Sequence, residues 1–255
     1  MTPAPARSEL ADLVLTLRLP EPLIRDRVHQ IHQAALAQSR FLREADFTRI
    51  HPRDLELLFD GYDERFLGGL CRRALHGHRL HFRLSPRMTK SGGITKRICW
   101  SNGEVTYEIA VASSMLFDGF GKMDRQITVC GLECGNRLEG LQRIFEHELV
   151  NLIENLCWEH SDCSESRFQG IARRLFLHRA HTHDLITRRE RAAESGIRPG
   201  SRVTFVFEGQ RMAGRVNRIT KRATVLVEDP EGQRYSDGLR YKTYYVPLAG
   251  LSPTV

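Results

Sequence analysis

The run Phe145–His160, FEHELVNLIENLCWEH, brings His147, Glu148, Asn151 and Glu154 within two helical turns. On a helix, residues i and i+4 share one face. Two histidines at those positions can hold a zinc ion, and a glutamate at i+1 then lies beside the metal-bound water and can take its proton. Here His147 and Glu148 fill the first two roles, and Asn151 stands where the second histidine would be. An amide oxygen is a much poorer zinc ligand than imidazole, thiolate or carboxylate. His147, Asn151 and Glu154 fall in a narrow sector away from the apolar stripe Leu141, Phe145, Leu149, Leu152 and Leu156. The same positions therefore also read as the wet side of an amphipathic helix.

These residues need a scaffold. Residues 8–75 carry apolar residues at helical spacing, with a proline-marked start at Pro52 and an interruption at Gly68–Gly69. The period then shortens to two. HRLHFRLS (78–85), GGITKRICW (92–100) and EVTYEIAVAS (104–113) read as three antiparallel strands, the first two flanking a polar turn with Gly92 and Gly93. Residues 138–158 are the clearest helix. A further helix with Phe168, Ile171, Leu175 and Phe176 follows SDCSES, whose Ser and Asp residues suit an N-cap. After it come His178, His181 and His183. From Gly196 onward RVTFVFEG, RMAGRVNRIT, RATVLVED and YKTYYVPL are short β-rich runs separated by Gly, Pro and Asp, which predict a small barrel.

The ordered set LLFDGYDERFLGG, LHFRLSPRMTKSGGITKR, TYEIAVAS, FEHEL, RFQGIARRLF and THDLI, over roughly residues 50–187, resembles the SprT-like family of bacterial SprT proteins and Spartan proteases. The resemblance implies a zincin-like metallopeptidase core with zinc as cofactor. The family pairs a His-Glu-x-x-His helix with a third histidine four residues before an aromatic in the next helix. His147 and Glu148 match, with Glu148 as the catalytic base; Asn151 occupies the second ligand position; Phe168 is the aromatic, and Ser164 stands four residues before it. Cys163 and His160 are the nearby substitutes as metal ligands, with Glu154 able to swing toward a metal held by His147. His183 resembles the family's histidine near the end of the core.

Two basic segments point to a polyanion. FRLSPRMTKSGGITKR includes Arg87 and Lys90 with no acid among them, and reads either as a phosphate-contacting hairpin beside the cleft or as a charged edge that resists pairing. The C-terminal run resembles SH3-like barrels of the KOW and Tudor type, with Arg215, Arg218, Lys221 and Arg222 around one turn and Tyr241, Tyr244 and Tyr245 in a later strand. Basic residues near aromatics suit backbone contacts and base stacking.

The chain as a whole has 255 residues, 41% hydrophobic and 27% charged, with a formal net charge of +7. Residues 196–255 hold ten Lys and Arg against five Asp and Glu, a net of +5. Such a balance favours nucleic acid, with DNA expected. The six cysteines lack the density of a secreted disulfide scaffold, and Cys130 and Cys134 read as buried reduced thiols. No run of about 18 apolar residues occurs, and the proline-broken N-terminus does not read as a signal peptide, so the expectation is a cytoplasmic protein with no membrane partner.

The expected architecture is α+β: a helical extension over 1–50, a zincin-like core of helices with a small antiparallel sheet over 51–190, and a small SH3-like β-barrel over 197–255. Three functions fit it. The first is a SprT-like protein near nucleic acid whose zinc site is weakened or lapsed. The second is an active zinc protease of nucleic-acid-bound proteins with a rearranged third ligand. The third is a protein-interaction module without a nucleic-acid role.

Overall fold

The computed structural model describes residues 3–88, 90–120, 126–185, 196–220 and 222–254. It is a mixed α+β protein that separates into two compact units, Met1–Leu185 and Ile186–Val255.

In the first unit, α1 (Pro3–Thr16) and α2 (Glu21–Gln38) pack on α3 (Pro52–Tyr62), α4 (Leu70–Ala74) and α6 (Arg137–Trp158), so the N-terminal helices share the core of the residues that follow. Helix α3 starts where Pro52 fixes the first turn and His51 and Asp54 form a reciprocal capping box. A π-helical turn, Asp63–Leu67, continues it and ends at Gly68 and Gly69, both in the left-handed region that glycine adopts without a Cβ penalty. Helix α6 begins at Asn136, whose side chain accepts from the Glu139 amide at 2.9 Å. Its stripe Leu141, Phe145, Leu149, Leu152 and Leu156 is buried, as its spacing predicts. Helix α5 (Ser113–Gly119) and α7 (Ser166–Phe176) also pack on α6.

The sheet beside α6 differs from the expected antiparallel set. Its order is β1 (Arg79–Leu84), β3 (Val105–Val111), β2 (Gly93–Cys99). Strands β2 and β3 form a hairpin, but β1 lies parallel to β3 on its other side. The basic segment after β1 is therefore a crossing between the two outer strands and not a hairpin. The reason lies in β3, where Thr106, Tyr107, Ile109, Ala110 and Val111 are all buried. A strand covered on both faces belongs at the centre. A second hairpin, β4 (Ile127–Val129) and β5 (Leu132–Cys134), turns at Cys130 and Gly131, both with positive φ, +54° and +71°. That is the pattern of a two-residue type I′ turn, with cysteine where asparagine is usual.

The second unit is a five-stranded antiparallel sheet in the order β10, β6, β7, β8, β9, where β6 is Arg202–Phe207, β7 Gln210–Ile219, β8 Ala223–Arg234, β9 Arg240–Val246 and β10 Ser252–Pro253. The four predicted strands are present. Among the described residues the sheet does not close into a barrel, because β9 and β10 remain its two edges. Its core is Val203, Phe205, Val216, Ala223, Val225 and Val246, closed by Ile197 and Leu251. No helix among the described residues is long and apolar enough to cross a membrane.

Packed against the stripe of α6 is a buried polar network. Glu146, fully buried, accepts from Arg143 Nη1 at 2.8 and 2.9 Å and from the Tyr62 hydroxyl at 2.6 Å, and lies 2.9 Å from His178 Nε2. Burial pushes its carboxyl up, but Arg143, His178 and Tyr62 outweigh this and hold it below the ordinary value. Gln142 donates to the Tyr62 oxygen at 3.2 Å and pairs with His32 at 2.9 Å. Removing one member strands a charge in the core. Glu146→Gln should therefore cost about 3–5 kcal/mol of first-unit stability, and Tyr62→Phe about 1–3 kcal/mol, in urea denaturation.

Candidate functional site

His147, Glu148, Asn151, His160 and Cys163 line one cleft of about 660 Å³ in the first unit. One wall is α6. The opposite wall is the start of β2, from Gly93, with Lys90, Ser91 and Gly92 before it, and the third is Cys130 with the segment carrying His181 and His183. Arg87 is exposed and is not among the lining residues.

Glu148 is the best-held member. Its carboxylate is buried under β2, where Thr95 Oγ1 lies 2.7 Å from Oε2 and 3.0 Å from the Glu148 carbonyl oxygen, and Asn151 Nδ2 donates to Oε2 at 3.1 Å. A hydroxyl has one proton and cannot donate to both acceptors. A proton on Glu148 resolves the count: the acid donates to Thr95, and Thr95 donates to the carbonyl. Burial pushes the Glu148 carboxyl up to about 7, against the lowering effect of Thr95 and Asn151. Gly93 makes the approach possible, since a Cβ there would lie 2.7 Å from Glu148 Cγ.

His147 sits beside it with its ring 4.7 Å from that of Phe168, the aromatic of the predicted pattern. Burial, together with His178, His181 and His183, pushes its imidazole down to about 4, so it is neutral at pH 7. Its Nδ1 lies 3.9 Å from Cys130 Sγ, and burial drives that thiol well above its ordinary value, so it is not a thiolate. The expectation of buried reduced thiols agrees, as all six cysteines are free.

Asn151 is occupied on both ends. While Nδ2 serves Glu148, its Oδ1 lies 2.8 Å from Ser161 Oγ, whose one proton has two acceptors within reach. Ser161 also lies 2.8 Å from Glu154 Oε2, and Arg167 Nε pairs with Glu154 Oε1 at 2.6 Å. Glu154 is fully buried, so it is neither the wet side of the helix nor free to swing toward His147; the ion pair and hydroxyl fix it. Its cover comes from α7, which one helix's periodicity cannot reveal. His160 stands at the cleft's exposed rim, 66% exposed and 3.6 Å from Glu165. Ser164 bonds Asp162 locally, and α7 starts after Glu165 without a side-chain cap, so the Ser and Asp residues before it make a turn, not the expected N-cap.

These positions can be tested against zinc. Among the described residues, no three His, Cys, Asp or Glu converge on a point able to hold a metal ion. Asn151 faces Ser161 with its Oδ1 and offers only a neutral amide oxygen, a weak zinc ligand, and Glu154 is held by Arg167. The donor set does not fit a peptidase zinc.

Thr95, Ser161 and Arg167 were not singled out by sequence. Thr95 had a weak signal, an alternating strand position after Gly92–Gly93; Ser161 and Arg167 had none. In the second unit, Arg218 and Arg222 are exposed without an ion pair among the described residues, whereas Arg215 is paired with Asp237 at 3.1 Å. Lys221 lies outside the described residues. Comparison with models of known families, with curated proteins and with solved structures returns no match to this chain.

The two shifted groups act oppositely on stability. Glu148 protonates near 7 when folded and near its ordinary 4.5 when unfolded, so the folded state holds the extra proton between them and this contribution is lost as pH rises through about 7. His147 binds its proton more weakly when folded, so its contribution grows as pH rises from about 4 to 6.5. Glu148→Gln removes the first effect alone. Relative to the native chain, the variant should gain on the order of 2 kcal/mol between pH 4.5 and pH 8, read from denaturation midpoints at both.

Proposed function

We propose that this chain is a SprT-like protein whose zincin-type cleft has lost zinc hydrolysis and serves as a nucleic-acid-associated binding module in the cytoplasm, with DNA as the nucleic acid. The observation that carries the reading is the engagement of Asn151 by Glu148 and Ser161. At the position of the second ligand stands an amide hydrogen-bonded to Glu148 on one side and Ser161 on the other. A ligand position has become a structural joint. Glu148, which would activate water beside a metal, instead supports the strand wall through Thr95.

For the second unit, the reading is a small SH3-like barrel. Its support is the strand order, in which the short last strand returns beside the first after a 3₁₀ turn at Leu248–Gly250, and a core closed by Ile197 and Leu251. The net +5 of residues 196–255 supports delivery to nucleic acid. The cleft in the first unit, lined by a neutral imidazole and by a carboxyl that burial pushes up to about 7, then offers hydrogen-bonding groups to a protein segment.

Metal analysis of protein purified without chelators tests the reading. The expected zinc content is well below one per chain and unchanged by His147→Ala. Asn151→His should bind zinc weakly and lower stability by about 1–3 kcal/mol, because Ser161 and Glu148 each lose a partner. Stoichiometric zinc in the native chain, lost on His147→Ala, would instead establish the rearranged protease, and Glu148→Gln would then abolish peptide hydrolysis.

A further inference from the structure

In the second unit the acids are concentrated at one end. Asp229 and Glu231 take Lys242 at 2.7 and 4.0 Å, and Asp237 takes Arg215 at 3.1 Å. At the other end, β7 and β8 are joined by the turn at Thr220–Arg222. There the register sets Arg218, Thr224 and Tyr245 opposite one another on β7, β8 and β9. Cross-strand partners share a face. Their neighbours Val216, Val225 and Val246 belong to the core, so this row lies on the outer face. A bulge between Val216 and Arg218 re-aims the arginine.

Tyr245 is 66% exposed and makes no ring contact or hydrogen bond among the described residues. Its ring contributes nothing to the core, unlike Tyr244, which packs on Phe205 and Phe207. Thr224 is small and leaves a shallow floor between the tyrosine and Arg218, two strand spacings or about 10 Å apart. Arg222 flanks the row from the turn. Exposed aromatic surface beside unpaired guanidinium groups matches a nucleobase and its phosphates. Bases inside a duplex hide their faces in the stack, so this surface fits a single strand. A cationic peptide tail would meet Arg218 and Arg222 with no nearby acid paired to them.

We infer that the Arg218–Thr224–Tyr245 row binds single-stranded nucleic acid, one base stacking on Tyr245 while Arg218 and Arg222 hold the flanking phosphates. This rests on the nucleic-acid reading above. The test is fluorescence anisotropy of the full chain with a labelled oligothymidylate and a blunt duplex of the same length at low salt. The single strand should bind at least about tenfold more tightly than the duplex. Tyr245→Ala should weaken the single strand about tenfold and the duplex less than twofold, with Tyr245→Phe close to native. Arg218→Glu with Arg222→Glu should weaken both and flatten the salt dependence. Equal affinity for the two forms, with Tyr245→Ala neutral, overturns the single-strand inference and leaves the nucleic-acid reading standing. No binding of either form at low salt overturns both. Tyr245 is exposed, so an unchanged melting temperature of Tyr245→Ala will show that any loss is local.

Discussion

A carboxylate with no access to water governs the first unit. Glu146 can keep its charge there only because Arg143, Tyr62 and His178 all reach it. The three partners come from one turn earlier in α6, from the end of α3 and from the segment after α7. Helix α6 therefore cannot slide or turn without stranding the charge, and His147 and Glu148 are the next two residues along it. His178 also fixes the start of the segment that walls the cleft. Just beyond it, the Arg179 and Ala180 amides donate to the Cys130 carbonyl at 2.9 and 3.1 Å, and the Cys130 amide donates to Thr182 at 2.8 Å. The site is thus held by the core and by a hairpin whose turn is otherwise costly for cysteine.

What the sequence revealed was local. The leucine stripe of α6, the break at Gly68–Gly69 and the strands after Gly196 all follow from spacing and backbone chemistry within a few residues. What it concealed was non-local. Alternation in β1 tells which side chains face inward but not which strand lies alongside, and burial of β3 on both faces decided that. Glu154 reads as the wet side of the helix until Arg167 is brought to it from α7, and the burial of Glu146 has no sequence signal until Tyr62 and His178 reach it. The hairpin of β4 and β5 escaped because three-residue strands are too short to alternate and its turn lacks the usual Asn-Gly.

The second unit shows the same division on a smaller scale. Its alternating Val203, Phe205 and Val225 specify a core, and that much is visible in the sequence. The placement of charge is not, because it depends on register. Asp237 meets Arg215 only through the fold of the β8–β9 arm, which pairs that arginine while leaving Arg218 and Arg222 exposed without an ion pair among the described residues. Gly214 and Gly232 mark close approaches in the sheet, where a Cβ would lie 2.5 Å from the Leu226 carbonyl oxygen and closer still to the Tyr241 carbonyl carbon.

The joint at Asn151 also couples the side chains around it. Its amide ties Glu148 to Ser161, and Ser161 in turn touches Glu154. A single mutation there breaks two bonds before any compensating group exists, so its first effect is a loss of stability whatever residue is gained. Side chains joined this way change together or not at all. The amide thus works as a keystone: a change at Asn151, Ser161 or Arg167 is felt around Glu154, and the effects of changing them together are not expected to add.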